Sequence, residues 1–404
     1  MQSQTTHSAQ HGMRACMTAV SKAAVAIAIA GAAATASLAS TAAQEKPLIA
    51  KWLDGEVKAH FPTVTYDGPP ITLKYSSFIV SSTPYAQLFT RAFKRLEEAT
   101  NGKIVVRSFW GSTLSNTQRG AFEAIGGGIA DFGNCYTMLN PGGFTLHHGL
   151  AMPFLFDTSV QSSTVAQELY VKYLKPEYEA KNVYLVRVAT TRPNKILTKY
   201  PVNTLEDIKG KKIWAAGALQ AQFAEALGAI PTNVQVSELY SAFQSGVLDA
   251  ALMHDAGSRL FRLMELARNR NDVNLWVNAT EYCMNKVSYE KLPSDLKAIF
   301  YHWAQLWNQV DAQLYYDKEA DEAVADMNKR GIESNSLSLG ELKRWKDAAQ
   351  PVVDKWVAAY EQKGVPAKQF IADMKSLAEK YGSMTPDQIT QQLLEKPLRG
   401  IVSH

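Results

Sequence analysis

The stretch PVNTLEDIKGKKIWAAGALQAQFAEALGAIPTNVQVSELYSAFQSGVLDAALMHD, residues 201–255, decides the fold. Asn203 and Thr204 open a short helix, with Glu206 and Asp207 in its first turn, where negative charge suits the helix dipole. Residues 212–216 then read as a short buried strand and 219–227 as a helix stopped by Gly228. Residues 230–234 read as extended chain, 237–246 as a second helix and 248–253 as another strand. Strand, helix, strand, helix, strand is a parallel α/β unit. Ligands of such sheets sit outside the carboxyl ends of the strands, which here fall at 214–217 and 252–255.

Upstream, the pattern repeats. Residues 71–77 alternate as a strand. Residues 84–100 form an amphipathic helix with Leu88, Phe89, Ala92, Phe93 and Leu96 on one face. Strands at 103–109 and 130–136 flank a helix at 116–125. The triplet Gly126-Gly127-Gly128 follows that helix and lacks a Gly-Lys-Ser/Thr ending, so it stops a helix and is not a phosphate loop. A helix at 159–174 precedes strands at 183–190, with Val186 and Arg187 on opposite faces, and 195–198. Strands at 272–278 and 282–287 follow the quoted stretch. Residues 294–328 are helical without a break, far longer than an ordinary globular helix. Residues 337–339 look extended, and helices follow at 340–364, 367–381 and 386–394. Residues 45–70 read as an extension lying on the surface of the first lobe.

The 404 residues suffice for two lobes with a sizeable core. A hydrophobic share of 46% with 20% charged residues is that of a soluble globular protein. The N-terminus reads as an export signal. Arg14 and Lys22 precede an Ala-rich apolar run at 23–38, and small residues at 41–43 follow, so cleavage is expected near Ala43 and release into the periplasm. The run is short for a bilayer span. Its removal lowers the formal charge from +4 to +2, because Arg14 and Lys22 leave and no Asp or Glu precedes Glu45. No nucleic-acid partner is expected at that charge. Cys135 and Cys283 remain in the exported chain, either as a disulfide or as two buried thiols. No CxxC or Cys/His cluster has metal spacing, and no cofactor is expected.

An enzyme would need a constellation of reactive groups. No GxSxG, HExxH or Walker pattern occurs. His147 and His148 are adjacent, a poor spacing for ligation, and read as loop or packing residues. His254-Asp255, at a strand end, has only Ser258 nearby as a nucleophile.

The pieces ADFGNCY, MPFLF, DIKGKKI and ALGAIPTNVQVSELYSAFQSGVLDA, in this order and spacing between about residues 71 and 380, resemble the DctP-like solute-binding proteins of TRAP-type transporters. The resemblance implies an α/β, two-lobe, type II-like periplasmic binding protein. It would have mixed sheets, flanking helices and a long helix spanning both lobes. Lobe one would fall mainly at 71–191 and lobe two at 192–280, with 281–404 returning through the hinge and packing on both. It also implies a monomer that captures a small solute by hinge closure and delivers it to membrane permease subunits. A periplasmic sensor on the same fold is the alternative.

Two departures from the family bear on the solute. Where most members carry a carboxylate-binding Arg after KGLK, this chain has Trp214, which cannot form a bidentate pair but offers a broad π face. Where the family is often acidic or amidic after LDA, the residues are apolar, with Leu252 and Met253 followed by His254. The resemblance puts Phe78, Trp110 and Tyr136 at cleft-facing strand ends and Val236 at a contact position; each could equally be core. Arg192, before Pro193, either replaces the missing Arg or is a surface residue at a turn. The expected solute is therefore an organic acid, a monocarboxylate with an apolar or aromatic body. The other reading is a cation caged by Trp214, Trp110 and Tyr136 with Asp255 as counter-ion.

Overall fold

The computed structural model describes residues 45–398 apart from 117, 119, 141 and 216. The expected export signal, with Arg14, Cys16, Lys22 and Ala43, lies outside the described residues. Eleven strands are described: β1 (Ile71–Ser76), β2 (Ile104–Phe109), β3 (Phe132–Asn134), β4 (Val183–Thr190), β5 (Lys195–Thr198), β6 (Lys212–Trp214), β7 (Ile230–Pro231), β8 (Ala250–Met253), β9 (Asn269–Asn271), β10 (Ala279–Asn285) and β11 (Glu333–Asn335). They form two sheets, ordered β2-β1-β3-β10-β4 and β11-β9-β5-β8-β6-β7. In the first, β1 runs parallel to β2 and β3, and β10 lies antiparallel between β3 and β4. In the second, β6 is parallel to β7 and β8, while β5 is antiparallel to β8 and β9. The chain crosses between the sheets from β4 to β5, returns from β9 to β10, and crosses again between β10 and β11.

Local chemistry explains the elements that frame the cleft. Thr83 caps the helix Pro84–Ala99 by accepting from the Ala86 amide, with Pro84 in the first turn, where its missing N–H costs nothing. That helix buries Phe89, Ala92, Phe93 and Leu96 against the first sheet. Thr204 and Asp207 form a capping box on the helix Leu205–Ile208. Gly246, at φ +80°, ends the helix Leu239–Ser245 in a left-handed turn that side chains resist. In β3, a Cβ on Gly133 would collide with the Ser76 carbonyl oxygen, so the close approach of β1 and β3 requires glycine there.

The long helix is one rod in three parts. Ser294–Asp311 runs through a π-helical turn, Ala312–Asp317, into Lys318–Lys329. Its first part packs on the helix Pro84–Ala99 and on β4, with Trp303 and Trp307 stacked at 5.1 Å and Trp303 Nε1 donating to the Ala92 carbonyl. Its last part packs on the helix Asp255–Leu260 of the second lobe.

Several expectations need correction. The extension at 45–70 is not confined to the surface: its helix Leu48–Leu53 buries Ile49, Trp52 and Leu53. It also ties to distant parts of the chain, because Asp295 accepts from the Thr65 and Tyr66 amides and the His60 amide donates to the Leu394 carbonyl. Residues 272–278 are not a strand; pairing in this region ends with β9, and the segment is hinge connection. The extended piece near 337 is displaced to β11, and the helix Leu339–Glu361 begins sooner than expected. The helix expected at 116–125 is only Ala121–Gly126. Cys135 and Cys283, left open above, are disulfide-bonded and tie the end of β3 to β10.

Candidate functional site

Phe78, Trp110 and Tyr136 stand just after the ends of β1, β2 and β3, which neighbour one another in the first sheet. Phe78 meets Tyr136 edge-on at 5.4 Å, and Trp110 meets Tyr75 at 5.1 Å. From the second lobe, His254 approaches Tyr316 of the π-helical turn, with ring centroids 6.2 Å apart. Tyr85 closes the group, 4.5 Å from Tyr315 and 6.4 Å from Tyr316. Burial pushes the phenols of Tyr85, Tyr136, Tyr282 and Tyr316 well above their usual range, so they stay neutral hydrogen-bonding groups.

Behind these rings lies a charge pair that sequence reading missed. Arg187 Nη1 donates to Asp311 Oδ2 at 2.7 Å, and the Tyr85 hydroxyl donates to the same oxygen at 3.0 Å. The guanidinium also sits 4.0 Å from the Tyr282 ring centre and 4.3 Å from that of Trp307. Burial disfavours its charge, but Asp311 and the tyrosines outweigh that and hold Arg187 above the ordinary arginine value. The available signal was an Arg inside the apolar run VYLVRVAT, since a buried cation demands a partner.

Other expected site residues have different occupations. Arg192 binds Asp317 through Nε and Asp321 through Nη1, both at 2.8 Å, which fastens the β4–β5 crossover to the long helix. Trp214 is 7% exposed and packs in the second lobe with Leu239, Phe243 and Met253, its Nε1 donating to the Val234 carbonyl at 3.2 Å. Leu252 and Met253 are buried in two different core clusters, because neighbours in a strand face opposite sides. Val236 is 39% exposed on a single 3-10 turn, Val236–Glu238.

Asp255 is no counter-ion for a caged cation: both its oxygens are held by Arg270, at 2.6 and 2.8 Å. Trp214 does not join Trp110 and Tyr136 in a cage, since its ring belongs to the second-lobe core. Nor do His254, Asp255 and Ser258 form a catalytic set. His254 Nδ1 accepts from the Gly257 amide, and the Ser258 hydroxyl donates to the Asp255 carbonyl. Burial pushes His254 down to about 4, so it is neutral. Among the described residues no group of three His, Cys, Asp or Glu is placed to hold a metal ion.

Strand β10 lies within the first sheet, where Tyr282 faces Tyr75 and Trp307 in the core, and the residues leading into the strand, Val277–Ala279, border a cavity of about 280 Å³. Thr137, Met138, His147 and His148 line it from the first lobe, Gly217–Gln222 from the second, Val277–Ala279 from the hinge, and Trp356 with Tyr360 from the helix Leu339–Glu361. Behind Thr137 and His147 lies the buried Glu281. The Thr137 hydroxyl donates to Oε1 at 2.6 Å, and His147 Nε2 stands 2.5 Å from the same oxygen. His147 Nδ1 is joined to the Tyr178 hydroxyl at 2.9 Å, and Glu177 accepts from the Thr145 and Leu146 amides. His147 is thus a packing residue by its bonds, as expected, but it also borders the cavity.

Two α/β lobes, with crossovers between their sheets and a helix that packs on both, have the architecture of a two-lobed solute-binding protein. Residues 75–359 match the family model of bacterial extracellular solute-binding protein family 7, DctP, and the chain belongs to that family. It is 24% identical over 295 residues to the C4-dicarboxylate-binding periplasmic protein DctP of Rhodobacter capsulatus, a match covering 70% of this chain and 86% of that protein. It is 28% identical over 150 residues to a solute-binding protein of Sulfitobacter sp. (strain NAS-14.1), covering 37% of this chain and 46% of the relative, so that match spans about half of that protein's length.

Among solved structures it resembles a TRAP periplasmic solute-binding protein of Desulfovibrio salexigens in an open complex. The TM-score is 0.70 at 26% identity, covering 78% of this chain and 98% of that one. It shares its fold with one from Rhodoferax ferrireducens holding copurified benzoate (TM-score 0.68, 19% identity, covering 77% and 98%). It also shares its fold with one from Bordetella bronchiseptica with bound (R)- and (S)-mandelate (TM-score 0.66, 22% identity, covering 77% and 99%). The chain is a binding protein of the TRAP type, not an enzyme.

Proposed function

We propose that this chain is the exported solute receptor of a TRAP transporter. It captures a monocarboxylate with an aromatic or branched apolar body and delivers it to membrane permease subunits as a monomer. The observation that carries the solute class is the aromatic wall of Phe78, Tyr136, Tyr85 and Tyr316 met by His254 from the opposite lobe. Arg187, Arg192 and Arg270 already hold carboxylates of the chain, and Lys195 at the start of β5 donates to the Asp272 carbonyl and Asn274 Oδ1. Each carboxylate buried there without a cationic partner costs several kcal/mol in effective terms, so a monoacid is favoured over a small diacid. The benzoate and mandelate carried by two proteins of the same fold point the same way.

Isothermal titration with benzoate, (R)-mandelate and succinate tests the reading. Aromatic monoacids bind and succinate does not; a bound acid at 100 times its Kd adds roughly 2.7 kcal/mol of stability, visible as a melting shift. Tight succinate binding with no response to either aromatic acid refutes it.

A further inference from the structure

We propose that Lys195 is a positioning residue for solute capture: it ties together two chain segments that pass between the sheets, and it couples their parting to uptake of a proton. The inference concerns how the lobes move and does not depend on which solute is held.

Geometry carries the tie. Lys195 opens β5 in the second sheet and is 8% exposed. Its ammonium donates to the Asp272 carbonyl at 2.6 Å and to Asn274 Oδ1 at 2.5 Å, both on the segment that returns from β9 to β10. Asn274 Nδ2 passes the link to Asp157 Oδ1 at 2.7 Å. Asp157 lies in the loop before the helix Ser159–Leu169, which packs on β4 of the first sheet. A side chain of the second sheet is thus joined through one Asn to the first. Backbone bonds run beside this relay: the Asn194 amide donates to the Trp276 carbonyl at 2.7 Å, and the Thr191 amide to the Asn278 carbonyl at 2.9 Å. The end of β11 meets the same point, because the Ser336 hydroxyl donates to Asp272 Oδ1 at 2.8 Å.

Two features mark the joint as one that can move. Phe154, whose amide donates to the Leu275 carbonyl at 2.6 Å, has φ +60°, a conformation that bulky side chains resist, so the joint holds strain. A cavity of about 280 Å³ adjoins the relay, with Phe154, Asp157, Asp272, Asn274 and Lys346 in its lining. Close-packed interiors resist displacement, and this void leaves Asn274 and Asp157 room to part.

Charge supplies the coupling. Burial pushes the Lys195 amine down to about 8 and Arg270 adds to that, while Asp255 and Asp272 pull the other way. Arg270, on β9, is itself paired with Asp255; Arg192, from the β4–β5 crossover, also opposes the charge and is paired with Asp317 and Asp321. A movement that parts the segments lets water reach the amine and returns it toward the ordinary 10.5. The parted arrangement therefore binds the proton more tightly. Acid favours parting, and pH rising from about 8 toward 10.5 favours the arrangement described. A solute that gains contacts as the lobes approach is held according to how often the relay allows that approach.

Spin labels at Lys94→Cys, on the helix Pro84–Ala99, and Glu225→Cys, on the helix Ala218–Ala226, report lobe separation without solute; both positions are exposed. The native cysteines form a buried disulfide and do not take label. Between about pH 7 and 9.5 the ratio of parted to unparted lobes should fall about fivefold or more. With Lys195→Met, and with Lys195→Arg, which stays charged throughout, the ratio should not respond to pH. In the otherwise unaltered chain with lysine labelled at Cε, the Lys195 signal, assigned by through-bond correlation, should titrate near 8. Lobe distances that ignore pH, a pH response that persists in Lys195→Arg, or titration of Lys195 near 10.5 overturns the proposal. The lysine titration uses no variant at Lys195, so it decides even where those variants misfold.

Discussion

Arg187 Nη1 lies 2.7 Å from Asp311 Oδ2, both side chains wholly buried, and the contact joins the edge strand β4 to the long helix 124 residues further along the chain. A buried pair of this kind contributes little net stability when intact, yet removing one partner strands the other charge in a low dielectric. Arg187→Met should therefore lower unfolding stability by about 3–5 kcal/mol, measured by urea denaturation. The double variant Arg187→Met with Asp311→Leu should recover much of that loss. A single variant as stable as the parent would mean that the pair is not buried as described.

Burial holds His254 neutral in the folded chain, at about 4 against the ordinary 6.5. The unfolded chain takes up a proton first as pH falls. The stabilising contribution is therefore complete above about pH 6.5 and is lost as pH drops through about 4. His254→Asn keeps an acceptor for the Gly257 amide, because Asn also caps helices well. It should remove up to about 3 kcal/mol of the acid-dependent loss between those pH values. Parallel pH–stability curves for parent and variant would show that His254 does not titrate in this window.

The sequence shows the two α/β units and the long helix because their information is local. Alternation, caps such as Thr204 with Asp207, and stops such as Gly246 lie within a few residues of what they specify. The site is less legible because facing is a long-range property. Strand alternation places Leu252 and Met253 on opposite sides but does not say which side is cleft and which is core. Arg192 read as either a ligand group or a turn residue, since its partners Asp317 and Asp321 lie more than a hundred residues away. Tyr316, in the π-helical turn, meets His254 from more than sixty residues earlier in the chain, a contact no local pattern announces. The buried hydrophobics of the extension were hidden in a segment without clear periodicity.

The disulfide between Cys135 and Cys283 closes a loop with a sequence separation of 148 residues. On chain-entropy grounds so long a loop contributes about 5 kcal/mol at most, and natural disulfides commonly contribute 2–5. Replacing both cysteines by Ser should lower stability by an amount in that range. Both half-cystines are fully buried, so reductant should act only together with denaturant. Rapid loss of the disulfide under native conditions, followed by thiol labelling, would contradict that burial.

Trp214 supplies the sharpest test, because two roles for it make opposite predictions. As a ligand-stacking residue it would contribute to affinity; as packed, with Leu239, Phe243 and Met253 around it, it contributes to the fold of the second lobe. Trp214→Ala should then cost about 3–5 kcal/mol of stability, the usual scale for removing a buried aromatic side chain. The affinity for benzoate of the fraction that remains folded should change by less than threefold, or about 0.65 kcal/mol, since the indole N–H is already committed to the Val234 carbonyl. Trp214→Arg should be as damaging or worse, because it sets an unpaired cation among Leu239, Phe243 and Met253, and it should not create succinate binding. Calorimetry and melting of the same samples separate the roles. A Trp214→Ala protein that melts with the parent but binds aromatic acids tenfold more weakly would return the ring to the cleft.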